Sequence, residues 1–114
     1  MGQKQKSNNT IFSKVVNSVL SHMSGDQKVT LLRKYMTAEM VMVLEDKELS
    51  TSVDAFLANS LNVSETSRNT FMHRNTLLYR IDKIYRVTKL NLRNFEDAVA
   101  FKLLEIMYRE VYKK

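Results

Sequence analysis

Between Ser64 and Asn94 the chain carries seven bases (Arg68, Arg74, Arg80, Lys83, Arg86, Lys89 and Arg93) against two acids, Glu65 and Asp82. Residues 1–63 hold seven bases and six acids, and residues 95–114 hold four of each. The formal charge of +6 is therefore concentrated in one segment. Cations gathered this way suit a polyanion, because each phosphate they neutralise releases condensed counterions. A solvated basic face is the bland alternative for the charge taken alone. The residue types add more than the charge does. The guanidinium of Arg74 can span guanine O6 and N7, and the carboxamide of Asn75 can pair with adenine N6 and N7. His73 and Thr76 flank them with further polar groups. Tyr79, Arg80 and Lys83, one or two turns later, have the reach for phosphate oxygens, and the alternative for Tyr79 and Arg80 is packing on a neighbouring helix with their stems over apolar surface.

Two short helices must position these groups. Ser64 is a candidate N-cap for the first, since its hydroxyl can accept an otherwise unpaired backbone N–H. Ser64 and the backbone N–H groups beside it also offer a place for one more phosphate. A second start signal lies within His73 to Asn75, where Asn75 or Thr76 can serve as caps and His73 as cap or turn. It precedes Leu77, Ile81, Ile84 and Thr88, which follow i, i+4, i+7 and i+11 and so share one helix face. That places Asn75, Tyr79, Lys83 and Arg86 on the opposite face, with Thr76 and Arg80 on the border. About nine residues separate the two starts, the spacing of a helix-turn-helix with a support helix and a recognition helix at about 74–88.

The remainder of the chain supports helices throughout. There is no Pro and there are two Gly among 114 residues, so little interrupts a helix. No alternating strand pattern is present. The fold class is all-α: a multi-helix bundle containing a helix-turn-helix, with an N-terminal helical arm. Ile11 to about Met23 reads as a helix capped by Asn9 or Thr10, with apolar residues over half its circumference. At Ser24-Gly25-Asp26 the chain breaks, Gly25 being free to take a positive φ. Met40 to Leu44 could be a buried strand, but with no partner strand visible it reads as a short buried helix capped by Thr37, and another helix starts at about Leu49 and ends near Asn59-Ser60. Asn94 caps the last helix, with Asp97 in a capping-box-like position. The first and last helices carry more apolar surface than a small core needs, which offers a homodimer contact through either or both.

Other chemistry is poorly served. Cys is absent, so there is no disulfide framework and no thiol ligand or nucleophile. His22 and His73 lie far apart, no Gly-rich phosphate loop exists, and the acids are scattered. No enzyme, cofactor or metal site is expected. No apolar run approaches the length of a membrane span and no secretory signal opens the chain, so the cytoplasm is the expected compartment.

At His73-Arg74-Asn75-Thr76-Leu77-Leu78-Tyr79-Arg80-Ile81 the sequence resembles the C-terminal helix-turn-helix of PucR/CdaR-type bacterial transcriptional regulators. The family signature H-R-N-T-L-x-Y-R-[IL] is matched at every fixed position. Leu61-Asn62-Val63-Ser64 resembles its N-x-S lead-in, and Leu90 to Asp97 resembles its G-L-D-L-x-D-P-E-D connector. The resemblance runs from about Leu49 to Tyr108, roughly half the chain, and the same two-helix unit resembles the DNA-binding end of the Fis family. Ser67 and Thr70 stand where the family usually has Ala and Leu, and Lys89 and Phe95 where it has Gly and Pro. Family members are mostly longer, with sensory regions upstream, so the resemblance implies a fragment or a regulator without its sensing part.

These readings combine into one expectation. Residues 1–45 form an N-terminal helical region, a candidate dimerisation arm, and residues 46–114 a PucR/CdaR-like DNA-binding domain. The chain is expected to bind double-stranded DNA sequence-specifically, as a transcriptional regulator, with its recognition helix in the major groove. Ser64, His73, Arg74, Asn75, Thr76, Tyr79, Arg80 and Lys83 are the candidate contacts. The competing class is a degenerate helix-turn-helix that docks a protein partner. RNA binding ranks third, because no aromatic platform for stacked bases is visible.

Overall fold

The computed structural model of the chain describes residues 10–113, and every regular element among them is a helix. In chain order these are α1 (Ile11–Ser21), α2 (Gly25–Tyr35), α3 (Ala38–Glu45), α4 (Lys47–Ala58), α5 (Val63–Thr70), α6 (Arg74–Thr88) and α7 (Phe95–Tyr112). The all-α class is as the sequence implies. Asn9, one of the two expected caps of α1, lies outside the described residues. The chain divides into two compact units. One is Thr37–Lys102. The other is Met1–Met36 with Leu103–Lys114, of which residues 10–36 and 103–113 are described. No helix among the described residues is long and apolar enough to cross a membrane.

A side chain marks each helix start by accepting a backbone N–H that has no partner within the helix. Thr10 takes the N–H of Ser13 at 3.0 Å, Thr37 that of Met40 at 3.2 Å, and Asp46 that of Leu49 at 3.0 Å. Ser24 and Gln27 cap each other reciprocally, at 3.1 and 2.8 Å. Here the structure departs from expectation, for Gly25 is the first residue of α2 and has no positive φ. The Ser24 cap starts the next helix directly, so no left-handed residue is needed. A second departure concerns α5, whose cap is Asn62 rather than Ser64, accepting the Glu65 N–H at 2.8 Å. Asn caps as well as Ser, and starting at Val63 puts that apolar side chain under cover. At α7, Asn94 takes the Asp97 N–H at 2.9 Å, but the Asp97 carboxylate reaches back to the Asn91 N–H at 3.0 Å instead of closing a box.

In the Thr37–Lys102 unit, α3 packs on α4 and α6, α4 on α5 and α6, and α5 on α6. The apolar stripe of α6 is inside as its spacing requires, with Leu77, Ile81 and Ile84 all buried. Each such side chain contributes about 1.5–3 kcal/mol on burial. Val43, Phe56, Leu92 and Phe101 are fully buried in the same unit. Thr88, the fourth member of the stripe, is half-buried and bonds back to the Ile84 carbonyl at 2.7 Å.

The other unit is built from α1, α2 and the C-terminal part of α7. Val16, Leu20, Leu32 and Met107 form its core, with Met23, Leu104 and Val111 packed against them. Lys28 and Glu110 join α2 to α7 at 2.7 Å. Only part of the apolar surface of α1 is used: Ile11, Val15 and Val19 remain 73, 55 and 57% exposed. These three follow i, i+4 and i+8, so they form a single strip.

Candidate nucleic-acid interface

The site is α5, α6 and the three residues between them. Two left-handed residues, Ser60 and Leu61, bring the chain out of α4, and the Asn69 carboxamide donates to that of Asn59 at 2.6 Å. The inner side of α5 carries hydroxyls in place of the usual aliphatic groups. Thr66 donates to the Asn62 carbonyl at 2.7 Å and Thr70 to the Thr66 carbonyl at 2.6 Å. Those bonds let Thr66 be fully buried. Ser67 has no such arrangement, and its buried hydroxyl oxygen finds no partner.

Phe71 ends α5 in the left-handed region at φ 58°, with its ring 95% exposed. Met72 follows, and His73 then caps α6, its Nδ1 accepting the Asn75 N–H at 3.0 Å. At its other end α6 stops at Lys89, also left-handed at φ 68°. This is the position where the resemblance leads one to expect Gly, the residue that adopts this conformation without steric cost. Lys89 makes the same turn, its N–H bonding the Tyr85 carbonyl at 2.8 Å.

The candidate residues separate into three groups. At the start of α6, Arg74 donates to the Ser64 hydroxyl at 3.1 Å, and both side chains are exposed. Because Asn62 and His73 do the capping, Ser64, Asn75 and Thr76 are released from it. Asn75 is exposed and Thr76 half-buried, and neither side chain has a hydrogen bond among the described residues. Along the outer face, Tyr79 lies under the Arg86 guanidinium, 5.9 Å from the ring centre. Arg86 is in turn paired with Asp82 at 2.8 Å. That hydrogen bond, more than any other influence, raises the Arg86 pKa above its usual value. Lys83, half-buried on the same face, has no ion pair among the described residues. The third group is Arg80 alone. It turns inward to α4, where Nη1 meets the Ser52 hydroxyl at 3.0 Å and Nη2 lies 3.7 Å from Glu48.

Electrostatically, the two acids of the basic segment are both committed. Glu65 pairs with Arg68 at 2.8 Å and Asp82 with Arg86. Arg74, Lys83, Lys89 and Arg93 are thereby left as cations whose charge no acid offsets among the described residues. Sequence reasoning did not find Ser52, Met72 or Glu48 as partners of Arg80. The sequence allowed Arg80 to pack on a neighbouring helix from its border position on the helical wheel, without saying which helix or which side chains. Among the described residues no three His, Asp or Glu side chains gather as a metal site would require.

Set beside known proteins, residues 49–104 match the family model of the PucR C-terminal helix-turn-helix domain. That segment runs from the start of α4 into α7 and contains the whole two-helix unit. No curated protein and no solved structure matches the chain.

Proposed function

We propose, from the premise that residues 49–104 are a PucR-type helix-turn-helix domain, that the chain reads duplex DNA as a transcriptional regulator. The observation that carries this reading is the set of exposed or half-buried polar groups at the start of α6 that capping and ion pairs leave available. Arg74, Asn75 and Thr76 sit at the end of a recognition helix that enters a major groove first. Their side chains are not consumed by capping, and an arginine and an asparagine there suit purine edges. Ser64, held beside Arg74, and His73, at the helix start, face the nearest phosphates. Tyr79 and Lys83 continue the outer face and anchor the backbone.

A single helix-turn-helix spans few base pairs, and two-fold pairing of protomers doubles the site. The exposed strip Ile11, Val15 and Val19 supports a homodimer through the N-terminal helices. An apolar strip of this kind is ordinarily covered.

Binding to random duplex DNA across a salt series tests the reading. Affinity should fall steeply, log K declining by about 0.9 per phosphate neutralised for each unit of log salt. Arg74→Ala should relax base preference at one position, at about 1–3 kcal/mol, whereas Lys83→Ala should weaken all sequences alike. Absence of binding even at low salt would instead support a protein-docking module.

A further inference from the structure

We infer that Arg80 is a positioning residue: it fixes the recognition helix on α4 through Ser52 and on the preceding turn through Met72, and touches no ligand itself. Ser52 is 1% exposed. Its hydroxyl proton goes to the Glu48 carbonyl, 2.9 Å away, so the oxygen still lacks a donor. Arg80 supplies one from α6, 28 residues later in the chain, at 3.0 Å. The same nitrogen lies 4.0 Å from the Met72 sulfur, which is 3.9 Å from the Ser52 hydroxyl. Three side chains from α4, the turn and α6 therefore meet at one point.

Two properties make this more than incidental packing. First, a buried hydroxyl left without its donor is unfavourable, whereas the exposed Glu48 carboxylate loses little if its distant pair breaks. The Ser52 bond is thus the important one. Second, the apolar contacts of Leu77, Ile81 and Ile84 have no directional preference, while a guanidinium carries donors in a rigid fork. Arg80 supplies the directional contact that sets how α6 is rotated and advanced over α4. A guanidinium occupied there is also withdrawn from the outer face on which Asn75, Tyr79 and Lys83 lie.

The consequence for DNA recognition rests on the proposed function, but the clamp does not, and the experiment separates them. Arg80→Met, Arg80→Lys, Ser52→Ala and the Ser52→Ala/Arg80→Met pair are compared with Lys83→Met. Urea unfolding is followed by circular dichroism. Binding is measured to random duplex and to duplexes that the wild-type chain selects from a random pool. Both Arg80 variants should lower the unfolding midpoint, and the double variant should lower it by less than the two single shifts together. At temperatures where they remain folded, their salt slope should equal the wild type's while the selected-to-random affinity ratio falls about tenfold. Lys83→Met should do the reverse, reducing the slope by about one and sparing the ratio. If Arg80→Met fails to fold, Arg80→Lys carries the same comparison, because a lysine would keep a phosphate contact but not the fork. A flattened slope with an unmoved midpoint, or binding fully restored by lysine, would overturn the inference. So would a ratio that stays unchanged while stability falls. If the wild type binds no duplex at all, DNA reading fails. Additive midpoint shifts for Ser52 and Arg80 would then overturn the clamp separately, and non-additive shifts would uphold it.

Discussion

The first helix of the helix-turn-helix, α5, and the second, α6, are neighbours that are fastened by different chemistry. Three aliphatic side chains, Leu77, Ile81 and Ile84, hold α6 from within. In α5 the buried side presents Val63 with Thr66 and a Ser67 hydroxyl that nothing meets. Hydroxyls bonded back to their own helix are tolerated in a core without contributing to contacts between helices. The stability of the two-helix unit is therefore concentrated in α6, and α5 depends on Val63, its cap and the bonds that join Asn69 to Asn59 and Arg74 to Ser64. A helix-turn-helix can hold its second helix firmly and its first loosely.

Four substitutions break or sharpen this contrast. The largest effect belongs to Leu77→Ala, which should lower the unfolding free energy by about 2–5 kcal/mol in urea titration. A loss below about 1 kcal/mol would mean that α6 is not the anchored partner. Asn62→Ala should remove about 1 kcal/mol by uncapping α5, with faster amide exchange in α5 than in α6 as the local signature. Equal acceleration in both helices would argue that they open together. Ser67→Ala should raise stability by about 1 kcal/mol, because it deletes a buried hydroxyl that has no partner. A destabilised Ser67→Ala would show that the hydroxyl does find one. Smallest is Lys89→Gly, which should add about 0.5 kcal/mol by relieving a left-handed lysine, part of the gain being lost to the freer unfolded chain. Thermal unfolding of the pair of proteins resolves that difference, and a lower midpoint for the glycine form would contradict it.

What could be read from the amino-acid order and what could not follow from the range of each interaction. Helix caps act over two or three residues, so Thr37, Asn94 and the His73 region were visible in the sequence. The register error at α5 arose because Asn62 and Ser64, two residues apart, are both competent caps. Only burial of Val63 decides between them. The stripe Leu77, Ile81, Ile84 was legible because periodicity records which side faces inward. At Gly25 the sequence offers a permissive residue, but the neighbouring Ser24 cap makes its freedom unnecessary. The matched family segment was legible from the run His73 to Ile81. The partner of Arg80 was not. Nothing near Arg80 in the sequence mentions a buried serine on α4, and a border position on a wheel does not say which side the guanidinium takes. Phe71 was equally silent, since neither its left-handed backbone nor its bare ring follows from its neighbours.

The cap of α6 has one more consequence, which concerns tautomers. A backbone N–H can only donate, so the His73 Nδ1 that receives it must present a lone pair. In the neutral ring the proton then resides on Nε2. Any group that approaches His73 from outside meets a donor and never an acceptor. The start of α6 is thus polarised before any partner arrives: the outward Nε2–H can donate to an acceptor oxygen or nitrogen and cannot receive an amino group.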